Sequence, residues 1–128
     1  MKAEAREWVE CAEASFVALG ILGRRRSGLA SNTVCFHSNQ CIEKYLKARL
    51  SEVGKPTPKV RRLTELLPMV LPFHPSEARL TDALVALNDE SKFRYPGHVA
   101  TRADARAALK ACRSIRAEVR LSLGLPKK

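Results

Sequence analysis

The sequence predicts an all-α protein, a single up-and-down bundle of about five helices formed by residues 1–128. Two observations support this prediction. Apolar residues recur at steps of three and four along most of the chain, as they do in helices that bury one face. Runs that alternate between apolar and polar residues, typical of strands, do not occur. Glycine and proline residues separate the periodic segments and mark the ends of the helices.

The first two helices are the clearest. The first is predicted over residues 3–22, where the apolar stripe is regular. The second is expected to start at a cap formed by Ser31 or Asn32, whose side chains accept amide hydrogens of a first turn. Gly54 is expected to end it in the left-handed conformation, ahead of Pro56.

The remaining helices are delimited by proline and by capping residues. A third is predicted over residues 59–71, kinked or broken at Pro68. A fourth, over 76–95, must stop before Pro96, because a residue that precedes proline is pushed out of helical geometry. Thr101 and Asp104 form a capping pair for the last helix, which is expected to stop near Gly124.

Charge favours an anionic partner. The chain has 23 Lys+Arg against 13 Asp+Glu, a net charge of +10, which favours RNA, DNA, a nucleotide or an acidic protein surface. A basic surface that only keeps the protein soluble is the alternative. The 5% of aromatic residues argue against single-strand binding by base stacking.

Neither a membrane span nor a signal peptide is visible in the sequence, so we expect a soluble, cytoplasmic protein with no membrane contact. The four cysteines include no Cys-x-x-Cys pair and are interpreted as small buried hydrophobes. His37 and Cys41 lie four residues apart on one helix, but no loop supplies further ligands. We therefore predict neither a metal site nor a cofactor.

A mixed polar sector on the second helix is the first candidate site. At 100° per residue, one sector of that helix carries Phe36, His37, Gln40, Glu43, Lys44, Lys47 and Ser51. An imidazole, an amide, a carboxylate and ammonium groups together can bind a base or a phosphate. The alternative is a solvated helix face with Glu43 and Lys47 as an ion pair.

The run from Phe93 to His98 is the second candidate, because Arg94 suits bidentate contacts with phosphate. An ion pair of Arg94 with Glu43 or Asp89 is the alternative. We predict that Arg94 and the polar sector of the second helix form a shared pocket. The predicted ligand-binding residues are Gln40, Glu43, Lys44 and Arg94, with His37 and His98 at the rim of the pocket.

A basic surface is predicted along the last helix, where Arg102, Arg106, Lys110, Arg113 and Arg120 are placed on the solvent side. The predicted nucleic-acid-binding residues are Arg61, Arg62, Arg106, Lys110 and Arg113. The alternative is an ordinary solvated face.

Two segments of this chain resemble the HEPN domain (higher eukaryotes and prokaryotes nucleotide-binding) of small stand-alone prokaryotic proteins. They are residues 40–48, Gln-Cys-Ile-Glu-Lys-Tyr-Leu-Lys-Ala, and residues 94–96, Arg-Tyr-Pro. The Trp8-bearing first helix, residues 63–66 and the alanine-rich last helix extend the resemblance over nearly the whole chain. It implies a helical bundle, a homodimer and a minimal nucleotidyltransferase as partner, sometimes as a toxin–antitoxin pair.

Many HEPN proteins resemble metal-independent ribonucleases in which a histidine follows an arginine after four to six intervening residues. None of the three histidines here has an arginine at that distance. The nearest pair, Arg94 and His98, is one residue too short and contains Pro96. We therefore expect a protein that binds a nucleotide or RNA phosphate without cleaving RNA.

Two alternatives stay open. One is an endoribonuclease toxin with an irregular site, its catalytic candidates being His37, Arg94 and His98. The other is a non-catalytic module that only dimerises.

Overall fold

The computed structural model describes residues 1–22, 29–60, 62–73, 81 and 99–127. The regular structure in these ranges is helical, which confirms the predicted all-α class. Its four helices are α1 (Ala3–Leu22), α2 (Leu29–Glu52), α3 (Leu63–Val70) and α4 (Arg102–Ser122). The predicted fourth helix, over 76–95, lies almost wholly outside the described residues.

Helix α2 is the centre of the bundle, because it packs against α1, α3 and α4. It runs antiparallel to α1: Lys2 at the start of α1 bonds to Glu52 at the end of α2. It runs parallel to α4: Asn32 near its start accepts a hydrogen bond from Ala100, and Tyr45 near its end accepts one from Arg120. Helices α1 and α4 are therefore antiparallel to each other.

Several helix ends lie where the capping residues and glycines of the sequence predict them. Helix α1 has the predicted bounds. Thr101 and Asp104 form the predicted capping box, each side chain bonding to the backbone N–H of the other residue. Gly54 and Gly124 adopt φ of 80° and 77°, the left-handed conformation that ends α2 and α4.

Two predicted boundaries are wrong. Helix α2 begins at Leu29, not after a cap at Ser31 or Asn32. The side-chain oxygen of Asn32 instead accepts the backbone N–H of Ala100, so a tertiary contact replaces the local cap. Helix α3 begins only at Leu63, because Arg62 is extended, with φ −71° and ψ 124°.

Pro68 lies inside α3 without breaking it. The backbone N–H of Leu71 still bonds to Leu67, so the helical pattern continues past the proline. The expected break is therefore wrong, and the kink stays a prediction. Leu66, Leu67 and Val70 are buried on the face that packs against α2, and this burial holds the short helix in place.

One hydrophobic cluster joins the four described helices, and α2 contributes more of its largest buried side chains than any other of these helices. Fully buried members from α2 include Cys41, Ile42, Tyr45, Leu46 and Ala48. Because α2 has neighbours on several sides, its polar residues must also be accommodated inside the bundle. Within the described ranges, no helix combines the length and the apolar character that crossing a bilayer requires.

Candidate functional site

The polar sector of α2 lies against α1. The side chain of Glu43 is 3% exposed, and its Oε2 is 2.7 Å from Nζ of Lys44 and 3.7 Å from Nζ of Lys47. The Lys47 side chain is itself only 6% exposed. This burial excludes the solvated-face alternative for these two residues. It makes Glu43 the shared counter-ion of two neighbouring lysines.

Trp8 of α1 completes this cluster. The ammonium groups of Lys44 and Lys47 lie 5.2 and 5.3 Å from the centre of its ring, within the range of a cation–π interaction. Both lysines are thus attracted to a carboxylate on their own helix and to an indole on the next. The arrangement fixes the packing of α1 on α2, and Lys44 keeps a quarter of its side chain exposed.

The predicted pocket between this sector and Arg94 stays a prediction. Arg94 and His98 lie outside the described residues, as does Arg61. Gln40, one turn before Glu43 on α2, is partly exposed. His37 is also partly exposed and packs edge-on against Phe36, with ring centres 5.3 Å apart.

A second polar cluster, which no pattern in the sequence predicts, joins α1, α2 and α4. Glu13 accepts two hydrogen bonds from Arg116, at 2.8 Å from Nε and 2.7 Å from Nη2. The hydroxyl of Tyr45 donates a short hydrogen bond to the same carboxylate. Arg120 lies 3.6 Å from Glu13 and donates to the Tyr45 hydroxyl at 3.3 Å. We call these four residues the Glu13 cluster.

The Glu13 cluster also fixes the C-terminal segment. Arg116 donates to the backbone carbonyl of Lys127 at 2.7 Å, and Arg120 donates to that of Pro126. The guanidinium of Arg116 stacks on the ring of Phe16, 4.1 Å from its centre. The two arginines are buried, at 8% and 9% exposure, because protein groups replace water around them.

Hydrogen bonds within the Glu13 cluster keep the carboxyl group of Glu13 ionised. Burial by itself raises the pKa of Glu13, but hydrogen bonds from Arg116 and Tyr45 outweigh it and hold that pKa below its ordinary value. Burial and the hydrogen bond to Glu13 raise the pKa of Tyr45. The hydrogen bonds that Arg116 donates to Glu13 raise the pKa of Arg116. Glu13 is therefore a carboxylate near neutral pH and Tyr45 a neutral phenol, which suits a structural junction rather than proton transfer.

The placement of Arg120 on the solvent side is wrong, since this residue belongs to the buried cluster. Its position on the helix matches the exposed arginines, but the C-terminal segment and Glu13 cover it. The signal in the sequence was weak: a lone acidic residue at the edge of the first apolar stripe, and arginines in the last turns of α4. Their pairing spans more than a hundred positions, so no local pattern reveals it.

The predicted basic surface is present on α4. Arg106, Lys110 and Arg113 are exposed, and they line an open groove of about 420 Å³. The other lining residues in the described part of the chain are Leu109, Ser114 and Ala117. Arg62, before α3, is exposed as well. The groove thus combines a cationic rim with a small apolar floor, a surface that can accept an anionic group.

The cysteines are mostly buried, as expected, with Cys11 as the exposed exception. A hydrogen bond with Cys112, and burial, raise the pKa of the Cys41 thiol, which keeps it protonated. Across the parts of the chain that the structure describes, no group of three or more His, Cys, Asp or Glu side chains is arranged to bind a metal ion.

Comparison with known proteins agrees with the resemblance. A family model described as the HEPN domain matches residues 5–122, nearly the whole chain. Comparisons with curated proteins and with solved structures gave no match. A match of this extent supports a nucleotide- or RNA-related function, and it accords with the helical fold and with a groove lined by cations. The chain belongs to the HEPN domain family.

Proposed function

We propose that this HEPN-domain protein binds the phosphate groups of RNA or a nucleotide through the basic face of α4, without cleaving RNA. The observation that carries the proposal is the groove of about 420 Å³ on α4, whose rim presents Arg106, Lys110 and Arg113 to solvent. Guanidinium and ammonium groups are the side chains that bind phosphate most strongly.

The form of the groove favours contacts to the backbone of a nucleic acid. Its floor is Leu109 and Ala117, and none of the six lining residues that the structure describes is aromatic. These six residues therefore offer contacts to phosphate and not the aromatic platforms that base stacking needs. Recognition through phosphates alone carries little sequence information, so we expect weak sequence preference.

The family resemblance suggests a wider role, which is also a proposal. We propose that the protein forms a homodimer and works with a minimal nucleotidyltransferase, as a toxin–antitoxin-like pair. Support for these partners comes from the family resemblance, and support for binding without cleavage comes from the missing arginine–histidine spacing.

Salt dependence tests the binding proposal. Fluorescence anisotropy with a labelled single-stranded RNA of mixed sequence should give an affinity that falls with salt, with a log–log slope of about −2 for three phosphate contacts. Arg106→Gln with Lys110→Gln and Arg113→Gln should flatten the slope and weaken binding at least about tenfold. Lys59→Gln, at an exposed position away from the groove, is the matched control and should change neither.

The same RNA, examined after incubation with the protein, separates binding without cleavage from an endoribonuclease. Equal binding by the triple variant and the wild type would refute the proposed surface. Degradation of the RNA by the wild type, lost on His37→Ala or His98→Ala, would instead establish the endoribonuclease. Binding with intact RNA after prolonged incubation is the expected result.

A further inference from the structure

Arg120 continues the row of exposed cations on α4, but it is covered. Arg106, Arg113 and Arg120 follow one another at steps of seven residues. Seven residues are nearly two helical turns, so each arginine lies about 10 Å further along α4 and within about 20° of the one before it. Arg106 and Arg113 are exposed, whereas Arg120 is 9% exposed. The basic row that passes the groove is therefore closed at its last member.

The cover over Arg120 is the segment that follows α4, residues 124–127, which we call the strap. Gly124 has a φ of 77°, and this left-handed conformation turns the chain back over the last turn of α4. The N–H of Leu125 then bonds to the carbonyl of Arg120 at 2.8 Å, and the Leu125 side chain packs against the hydrophobic cluster. The glycine conformation and the leucine contact together direct the strap onto Arg120.

The strap presents carbonyl oxygens to both arginines of the Glu13 cluster. Nε of Arg120 donates to the carbonyl of Pro126, and Nη1 of Arg116 donates to that of Lys127 at 2.7 Å. Pro126 and Lys127 are themselves exposed, so these two hydrogen bonds lie close to the surface. The oxygen atoms of an anionic ligand would accept the same hydrogen bonds if the strap moved aside.

The charges of the Glu13 cluster favour such a ligand. One carboxylate, that of Glu13, faces two guanidinium groups, and it lies 2.7 Å from Arg116 but 3.6 Å from Arg120. The hydroxyl of Tyr45, to which Arg120 donates, is neutral. The cluster therefore has one positive charge in excess, and the carbonyls of the strap satisfy it by hydrogen bonding alone. A phosphate group supplies both the oxygen acceptors and the negative charge.

We propose that Arg120 is a further phosphate-binding residue of the α4 face, and that the strap closes this site. The inference rests on the proposed function, since the same RNA strand contacts Arg106, Lys110 and Arg113 in the groove. With the strap closed, RNA contacts only these three cations of the row. With the strap open, the contact extends to Arg120. The strap therefore competes with RNA for one guanidinium group and lowers the affinity of the protein for RNA.

Loosening the strap without changing its charge tests the proposal. Gly124→Val does this, because a β-branched residue disfavours a φ of 77°, while a Cβ at this position meets none of the described atoms within 4 Å. In the anisotropy assay with labelled single-stranded RNA, one further phosphate contact should steepen the log–log salt slope by about 0.7 and tighten binding about fivefold at about 0.1 M salt. Gly20→Val is the matched control and should change neither, because Gly20 is helical and has the same open space around it.

The double variant G124V/R120Q identifies the residue that gains the contact. It should return to the affinity and the salt slope of the wild type, because the opened strap then uncovers no guanidinium at this position. A gain that persists in the double variant would overturn the proposal, since the freed Lys127 would then be the group that contacts RNA. Circular dichroism shows that each variant is folded.

Hydrogen exchange of the wild type gives a measurement that needs no substitution. Coupling is reciprocal, so RNA that binds the open form about fivefold better must raise the open fraction by the same factor. Saturating RNA should therefore speed exchange of the Leu125 N–H about fivefold. An unchanged or slower rate would overturn the proposal, even if the double variant did not fold.

Failure of the strap and failure of the proposed function give different results. Equal RNA binding by the wild type and Gly124→Val, with weaker binding by the triple variant of the groove, would refute the strap alone. Absence of RNA binding by both the wild type and Gly124→Val would refute the proposed function and the strap together.

Discussion

Replacing Glu13 by glutamine is the sharpest test of the polar junction in this bundle. The change removes the charge from two hydrogen bonds with Arg116, at 2.7 and 2.8 Å. Removing one partner of a fully buried ion pair costs about 3–5 kcal/mol, because the other charge is left without compensation. Arg116 is 8% exposed, but the Glu13 side chain is 30% exposed. Water can therefore compensate in part, and we expect a loss of about 2–3 kcal/mol of unfolding free energy.

Urea unfolding followed by far-ultraviolet circular dichroism measures this loss. With a slope of about 1–3 kcal/mol per molar urea for a small domain, the midpoint should fall by roughly 0.7–3 M. The melting temperature should fall by roughly 8–12 °C, taking about 4 °C per kcal/mol at this chain length. Glu10→Gln, one turn away and exposed, should change stability by less than about 0.5 kcal/mol when measured at low protein concentration.

The pH dependence of the same variant gives a signed test. The folded-state pKa of Glu13 lies below its ordinary value, which is about 4.3 for an unfolded glutamate. The stabilisation is therefore fully present above that ordinary value and is lost as the pH falls through the folded-state pKa. The difference in stability between wild type and Glu13→Gln should be constant near neutral pH and shrink below about pH 4.

Two results would refute this reasoning. One is a loss below about 0.5 kcal/mol for Glu13→Gln, which would mean that the pair contributes no more than an exposed one. The other is a difference that grows as the pH falls. The double variant E13L/R116M provides the complement: it should be more stable than Glu13→Gln, because the Arg116 charge is then no longer buried without its carboxylate, while Arg120 keeps its hydrogen bonds to Pro126 and Tyr45.

Three further substitutions test the local contacts. Thr101→Ala removes the cap of α4 and should cost about 1 kcal/mol by thermal unfolding, while Thr101→Ser should retain most of the stability. Lys47→Met leaves the buried carboxylate of Glu43 with one lysine, and should cost about 1–2 kcal/mol in urea unfolding. Asn32→Leu removes the acceptor of the Ala100 N–H. It should speed hydrogen exchange of that N–H and lower the free energy of unfolding by about 1–2 kcal/mol. An unchanged exchange rate would show that this bond is not formed.

Local sequence patterns account for the helices that have local signals. The stripe from Ala5 to Leu19 predicts α1, and the pair of Thr101 and Asp104 predicts the start of α4, because these signals act within one or two turns. They fail where a distant group competes. Asn32 has the side chain of a helix cap, but the backbone of Ala100 uses it instead.

The candidate site shows the same limit more strongly. A helical wheel groups Glu43, Lys44 and Lys47 correctly, but it cannot tell whether solvent or another helix faces them. Trp8 faces them, and only the packing of α1 on α2 reveals this. The wheel likewise groups Arg120 with Arg113, although Glu13 and the backbone of Pro126 enclose the former. Burial of a charged residue depends on partners far away in sequence, which periodicity does not encode.

The position of Trp8 has a practical consequence for spectroscopy. It is the one tryptophan of the chain, so intrinsic emission reports on the seam between α1 and α2, where two ammonium groups approach the indole. A ligand that stays on α4 should leave this emission nearly unchanged, while one that draws Lys44 away from the ring should alter it. Emission recorded alongside anisotropy therefore distinguishes these two modes of ligand docking without any label on the protein.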